Sequence, residues 1–227
     1  MMSLPNVEVV RERIETIRRR DIRNCFMATY LFAGRISEVV GKATMRDTTT
    51  ARGPRGTDVN PEVYKFGNLE EPAAVFKVKT AKRGGRERRI GLPFNPDFEP
   101  WTKTLYDYFE EVGNDIVFPF TRQKVWSYAE NIFEDLYYPI EEYILFAEEK
   151  GITVKKAVSS HERAFRLHAL RHLRASELVE VYGFTGVDLS IYGGWTLQRM
   201  AGLSNVMARY LNLSWQSYFP KLLKKRR

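Results

Sequence analysis

The chain has a single cysteine, Cys25, and only three histidines among its 227 residues. One cysteine excludes an internal disulfide and fits a reducing compartment. So few histidines, with no carboxylate cluster at metal-ligand spacing, leave little from which to build a metal centre. No apolar run approaches the roughly eighteen residues of a membrane span, and the first residues lack the pattern of a secretory signal. Internal repeats and low-complexity tracts are also lacking. These absences point to a cytoplasmic protein that is not membrane-bound.

Acidic charge is in short supply too: 36 Lys and Arg face 28 Asp and Glu, a net of +8. A polyanionic partner is the natural expectation for such a balance. The basic residues are lumpy. Arg11, Arg13, Arg18, Arg19, Arg20 and Arg23 crowd one stretch, a second cluster runs from Lys77 to Arg89, and a third closes the chain at Lys221–Arg227. Solvated faces account for some of this, but three separate clusters favour a nucleic-acid surface. Hydrophobic content of 44% and charged content of 28% fit a single globular domain over 1–227.

The hydrophobic pattern predicts an α+β chain, mainly helical, with a small antiparallel sheet or hairpin. One or two helices cover Val7–Val40, and residues 43 to 72, rich in Gly, Pro and Thr, read as a long turn-rich connection. Ala74–Thr80 alternates as a strand, Gly84-Gly85 turns, and Arg88–Pro93 returns as its partner. Helices are expected near Phe98–Val112, Arg122–Tyr137, Ile140–Lys150, Val187–Tyr192 and Ser204–Leu213, with a basic tail over 214–227. The aromatic residues of the middle helices, Trp126 and Phe133 among them, read as core and interface.

The stretch from Arg166 to Arg174 carries the strongest chemical signal. Leu167, Leu170, Leu178 and Val181 recur at helical spacing, giving an apolar stripe. His168, Arg171 and His172 stand at i, i+3 and i+4, so they share a face beside that stripe. A guanidinium offers bidentate hydrogen bonds to phosphate, and an imidazole exchanges a proton near neutral pH. Together they suggest a phosphate site with acid–base capability. The competing readings are surface histidines with Arg171 paired to a carboxylate such as Glu162, or a zinc site. The zincin pattern needs Glu after the first His, where this chain has Ala169.

Other segments extend the pattern. Ala33-Gly34-Arg35-Ile36-Ser37-Glu38 places an arginine three residues before an acid; Val78-Lys79-Thr80 sits on the strand of the basic hairpin; Gly194-Trp195 and Met207-Ala208-Arg209-Tyr210-Leu211 follow the histidine–arginine helix. In this order the segments resemble the catalytic domain of the tyrosine recombinase (phage integrase) family, nearest to the integrases of archaeal viruses and plasmids. The resemblance spans about residues 10 to 215.

The resemblance implies DNA cleavage and rejoining through a 3′-phosphotyrosyl link, independent of metal and ATP and with no cofactor. Tyr210 would be the nucleophile, with Tyr218 its rival. Arg35 and Arg171 would clamp the non-bridging phosphate oxygens, with Glu38 in support. Lys79, or failing it Lys82, would protonate the leaving 5′-oxygen. His168 would handle the tyrosine proton, while His172 and the Trp195 indole would support the phosphate. Arg83, Arg86 and Arg88 on the hairpin would contact DNA. The partner implied is double-stranded DNA, bound by a tetramer; a monomer in free solution is equally compatible.

Two departures from the family pattern stand out. Trp195 precedes Tyr210 by fifteen residues (210 less 195), against about nine in the family. Only a short leader precedes Arg35, so the family's N-terminal core-binding domain is expected to be absent. A type IB topoisomerase-like enzyme and a non-catalytic DNA-binding module of the same fold are the alternatives.

Overall fold

The computed structural model describes residues 6–41, 53–80, 87–138, 163–164, 167–194 and 214–223. It is a mixed helix-and-strand structure with a small antiparallel sheet. Helices α1 (Val7–Glu15), α2 (Arg20–Leu31) and the single turn α3 (Ile36–Val39) open the chain. Asn6 caps α1 by accepting from the Glu8 N–H at 2.8 Å. The interior of α2 is buried on nearly every side, as its Ile22, Cys25, Phe26, Ala28, Tyr30 and Leu31 require.

The sheet has the order β1 (Val59–Phe66), β2 (Leu69–Lys79), β3 (Glu87–Pro93). The expected hairpin is present, with Ala74 opposite Leu92 and Phe76 opposite Ile90. The expected connection over 43–72 is wrong in its second half. Val59–Phe66 forms an eight-residue strand paired with β2 from Val59↔Phe76 to Phe66↔Leu69. Its turn residues misled because each sits where a sheet tolerates it. Gly67, at φ +56, makes the tight turn. Pro61 lies on the edge strand, and Pro72 lies just beyond the last β2–β3 pair, Ala73↔Pro93.

Both faces of the sheet are covered. Phe76, on one face, meets Phe32 and Phe109 with ring centroids 5.1 Å away in each case. The other face carries Tyr64 and Gly91, which pack under Trp215 and Phe219. A Cβ on Gly91 would come within 2.2 Å of the Trp215 ring, so only glycine lets this segment close on the sheet. The expected basic tail is therefore corrected as far as Leu223. Trp215–Ser217 is a 3-10 turn and Phe219–Leu222 a helical turn, with Trp215, Tyr218, Phe219 and Leu222 all buried.

Helix α4 (Thr102–Val112) begins later than the pattern suggests, because Pro100 disfavours helical backbone at Glu99. Helix α5 (Arg122–Ile132) stops early, and Tyr137–Tyr138 (β4) pairs instead with Arg163–Ala164 (β5). Phe133 is buried as expected, but Trp126 is 43% exposed. The central helix α6 (Leu167–Glu180) and the shorter α7 (Gly186–Gly193) match their expected positions. Val181 falls outside the apolar stripe, exposed in the turn after α6. The helices expected at Ile140–Lys150 and Ser204–Leu213 lie outside the described residues.

An ion network joins α1 and α6. Arg174 Nη2 stands 2.8 Å from Glu99 Oε2, and its Nη1 donates to Glu177 Oε2 at 2.5 Å. Arg11 donates to Glu99 Oε1 at 3.2 Å and to Glu177 Oε1 at 3.4 Å. Two cations balance two anions, and the Tyr30 hydroxyl donates to Glu177 as well. Such burial is tolerable only when the partners are complete. Arg11 is thus core, not nucleic-acid surface; Arg13, Arg19 and Arg20 pair with Asp135, Asp21 and Glu111.

Candidate functional site: three arginines on one glutamate

The corner between α2 and α3 builds the site. Ala33 adopts φ +42, a left-handed conformation that costs a β-carbon-bearing residue about 1 kcal/mol. That sharp exit from α2 leaves the Phe32 carbonyl without a helical donor and sets Arg35 at the N-cap of α3. The Arg35 backbone N–H donates to Glu38 Oε2 at 3.1 Å, and its Nη1 to Glu38 Oε1 at 3.0 Å.

Glu38, with its side chain 1% exposed, gathers two further arginines. Arg88 Nη2 donates to Glu38 Oε2 at 3.2 Å, and Arg171 Nη1 stands 3.9 Å from the same oxygen. Segments at the start, middle and end of the chain thus meet on one carboxylate. Among the described residues, three cations share this one anion. Burial pulls the Arg171 guanidinium down to about 10; Glu38 opposes this, while Arg35 and Arg88 add to it. Burial also lowers Arg88, against the pull of Glu38. At about 10 Arg171 remains protonated at neutral pH, and an anion facing the group would relieve the crowding of like charges.

Of the residues singled out in the sequence, Arg35, Glu38 and Arg171 come together. His168 and His172 are exposed on α6, their ring centroids 4.8 Å apart; His168 stands one turn before Arg171 and His172 directly follows it. Lys79 is exposed at the end of β2. Its neighbour Thr80 lies beside Gly194 and Arg88: a Cβ on Gly194 would come 3.1 Å from Thr80 Cγ2 and 3.0 Å from Arg88 Cδ. Gly194, at φ +65, closes α7 immediately before Trp195. Lys82, Arg83, Arg86, Trp195 and Tyr210 lie outside the described residues.

Two expectations are corrected. Arg88 is not a surface contact for DNA: it is buried, donates from Nη1 to the Phe32 carbonyl at 2.9 Å and also to the Tyr192 carbonyl, and turns toward Glu38. Alternation along β3 is the signal that could have found it, since Arg88 shares a sheet face with Ile90 and Leu92. Tyr218 is not a candidate nucleophile. It is fully buried, and its hydroxyl oxygen accepts the Gly91 N–H at 3.0 Å, satisfying a donor on the edge strand. Burial and the nearby Tyr192 push its pKa well above the ordinary tyrosine value, only partly offset by that hydrogen bond. A phenol held so strongly protonated is a poor nucleophile.

A surface hollow of about 350 Å³ is lined by Arg122, Gln123, Trp126, Ser127 and Glu130, all of α5 and none in the arginine group. Among the described residues no group of three or more His, Cys, Asp or Glu could hold a metal ion. No helix of the described residues is long and apolar enough to cross a membrane. Comparison with protein-family models, curated proteins and solved structures finds no match for this chain.

Proposed function

We propose that the chain is the catalytic domain of a tyrosine-type DNA recombinase, which breaks and rejoins DNA through a phosphotyrosyl intermediate. The observation that carries the reading is the convergence of Arg35, Arg88 and Arg171 on Glu38, a cationic group suited to a phosphate diester. In this reading Arg35, half-buried, and Arg171 donate to the non-bridging oxygens and stabilise the charge that builds in the transition state. The Tyr210 oxygen attacks phosphorus, the P–O5′ bond breaks, and Lys79 delivers a proton to the departing 5′-oxygen. His168, one turn from Arg171, accepts the tyrosine proton and returns it on rejoining. Trp195, directly after Gly194, donates its indole N–H to the phosphate. The covalent link retains the bond energy for religation, so no ATP is consumed.

The test is incubation of the full chain with supercoiled plasmid in EDTA, quenched with SDS. Protein-linked nicked DNA is expected from wild type and absent from Tyr210→Phe. Arg171→Ala should lower its formation by about 10²- to 10³-fold, the usual cost of one transition-state donor. No adduct from wild type on DNA carrying its recognition sequence would overturn the proposal, as would adducts that persist in Tyr210→Phe.

A further inference from the structure

Arg88 makes more contacts than a buried ion pair needs. One guanidinium spans Phe32 O at the end of α2, Tyr192 O near the end of α7, and Glu38 on α3, while its backbone belongs to β3 opposite Val78. The two carbonyls lie at or beside helix C-termini, where backbone acceptors lack intrahelical donors and the dipole favours a cation. Glu38 in turn holds Arg35 through two hydrogen bonds and faces Arg171. Lysine, a point charge on a flexible stem, cannot reproduce a planar fork that meets three acceptors at once.

We infer that Arg88 is a positioning residue of the anion site: it fixes Glu38, and through Glu38 the spacing of Arg35 and Arg171, while tying the lysine-bearing hairpin to that group. The inference rests on the arginine group being an anion site, which is part of the proposed function, but it does not require that DNA be cut. Arg88 itself is too enclosed to touch the anion, its side chain being 6% exposed.

Inorganic phosphate is the probe, titrated into the full chain and followed by calorimetry, with Tm recorded for each variant. Arg88→Lys keeps the charge and should weaken phosphate binding about tenfold, as should Glu38→Gln. The double variant should be no more than about threefold weaker than Glu38→Gln alone, since neighbours acting through one group are not additive. Wild-type phosphate affinity in Arg88→Lys would overturn the inference, and so would losses that multiply in the double variant. Gly194→Ala supplies a second route that leaves every charge in place. Its Cβ would press on Arg88 Cδ at 3.0 Å, so phosphate binding should fall there too, and unchanged affinity would count against the inference. If wild type binds no phosphate, this inference and the anion-site reading fall together. If wild type binds phosphate with the expected losses yet forms no DNA adduct, Arg88 keeps its role and only the recombinase reading falls.

Discussion

At the scale of single residues, burial separates side chains that the sequence presents as equivalent. Arg171 and Arg174 stand one helical turn apart in the same basic stretch. Arg174 is enclosed by Glu99 and Glu177 in a balanced network, whereas Arg171, among the described residues, shares the Glu38 carboxylate with two other arginines. The first arrangement serves packing; under the proposed function the second presents its arginines to a phosphate. Tyr218 shows the same sorting among tyrosines. Tyr218→Phe should lower stability by about 1–3 kcal/mol, because the buried Gly91 N–H loses its acceptor. Chemical denaturation measures this, and the plasmid assay should show DNA adducts at the wild-type level. A loss of adducts in a folded Tyr218→Phe protein would return Tyr218 to candidacy as nucleophile.

At the scale of elements, a polar clasp helps hold the turn Phe219–Leu222 against α7. Thr185 and Asp188 form a reciprocal cap at the start of α7, and Lys221 Nζ donates to Asp188 Oδ2 at 2.5 Å. Burial would raise the Asp188 pKa, but hydrogen bonds from Lys221 and Thr185 outweigh it and hold the carboxyl below its usual range. A depressed folded pKa means that the unfolded chain takes up the proton first. The clasp therefore stabilises fully above about pH 4, the unfolded carboxylate value, and is lost as pH falls through the folded value. Asp188→Asn should reduce Tm at neutral pH and flatten the acid limb of the Tm–pH curve. An acid limb unchanged in Asp188→Asn would show that the clasp contributes nothing to acid stability. The elements themselves were largely legible: α2, α4, α6, α7 and the β2–β3 hairpin follow the hydrophobic period of their sequences. Strand β1 was not, because Pro61 and Gly67 carry the local signature of a loop and are acceptable only once an edge position and a turn have been assigned.

At the scale of the whole molecule, the net charge of +8 is distributed unevenly between interior and surface. Arg11, Arg88, Arg171 and Arg174 are buried, but so are Glu38, Glu99, Glu177 and Asp188, so among the described residues the buried charges cancel and the net positive charge stays with the rest of the chain. DNA binding under the proposed function rests on exposed groups and should follow counterion release. If about four phosphates are neutralised, affinity should drop about a hundredfold between roughly 50 and 200 mM salt. Fluorescence anisotropy on a duplex checks this, and a flat salt response would rule out backbone phosphate contacts as its source.

The sequence by itself determined the helical periods, the alternating hairpin and the presence of Arg35, Glu38 and Arg171 as a set suited to phosphate, since these depend on spacing and residue chemistry along a single segment. Only the tertiary structure decided which basic residues share a carboxylate. Arg88 and Arg11 read as surface charge locally, yet the pairing of β3 and the packing of α1 carry them inside, where each must find an acceptor. Burial is a property of what covers a residue, and those covering segments lie far away in the chain. The same reason moved Trp215 and Tyr218 from an apparent tail to the outer face of the sheet: a glycine in β3 leaves the space, and distant aromatic side chains fill it.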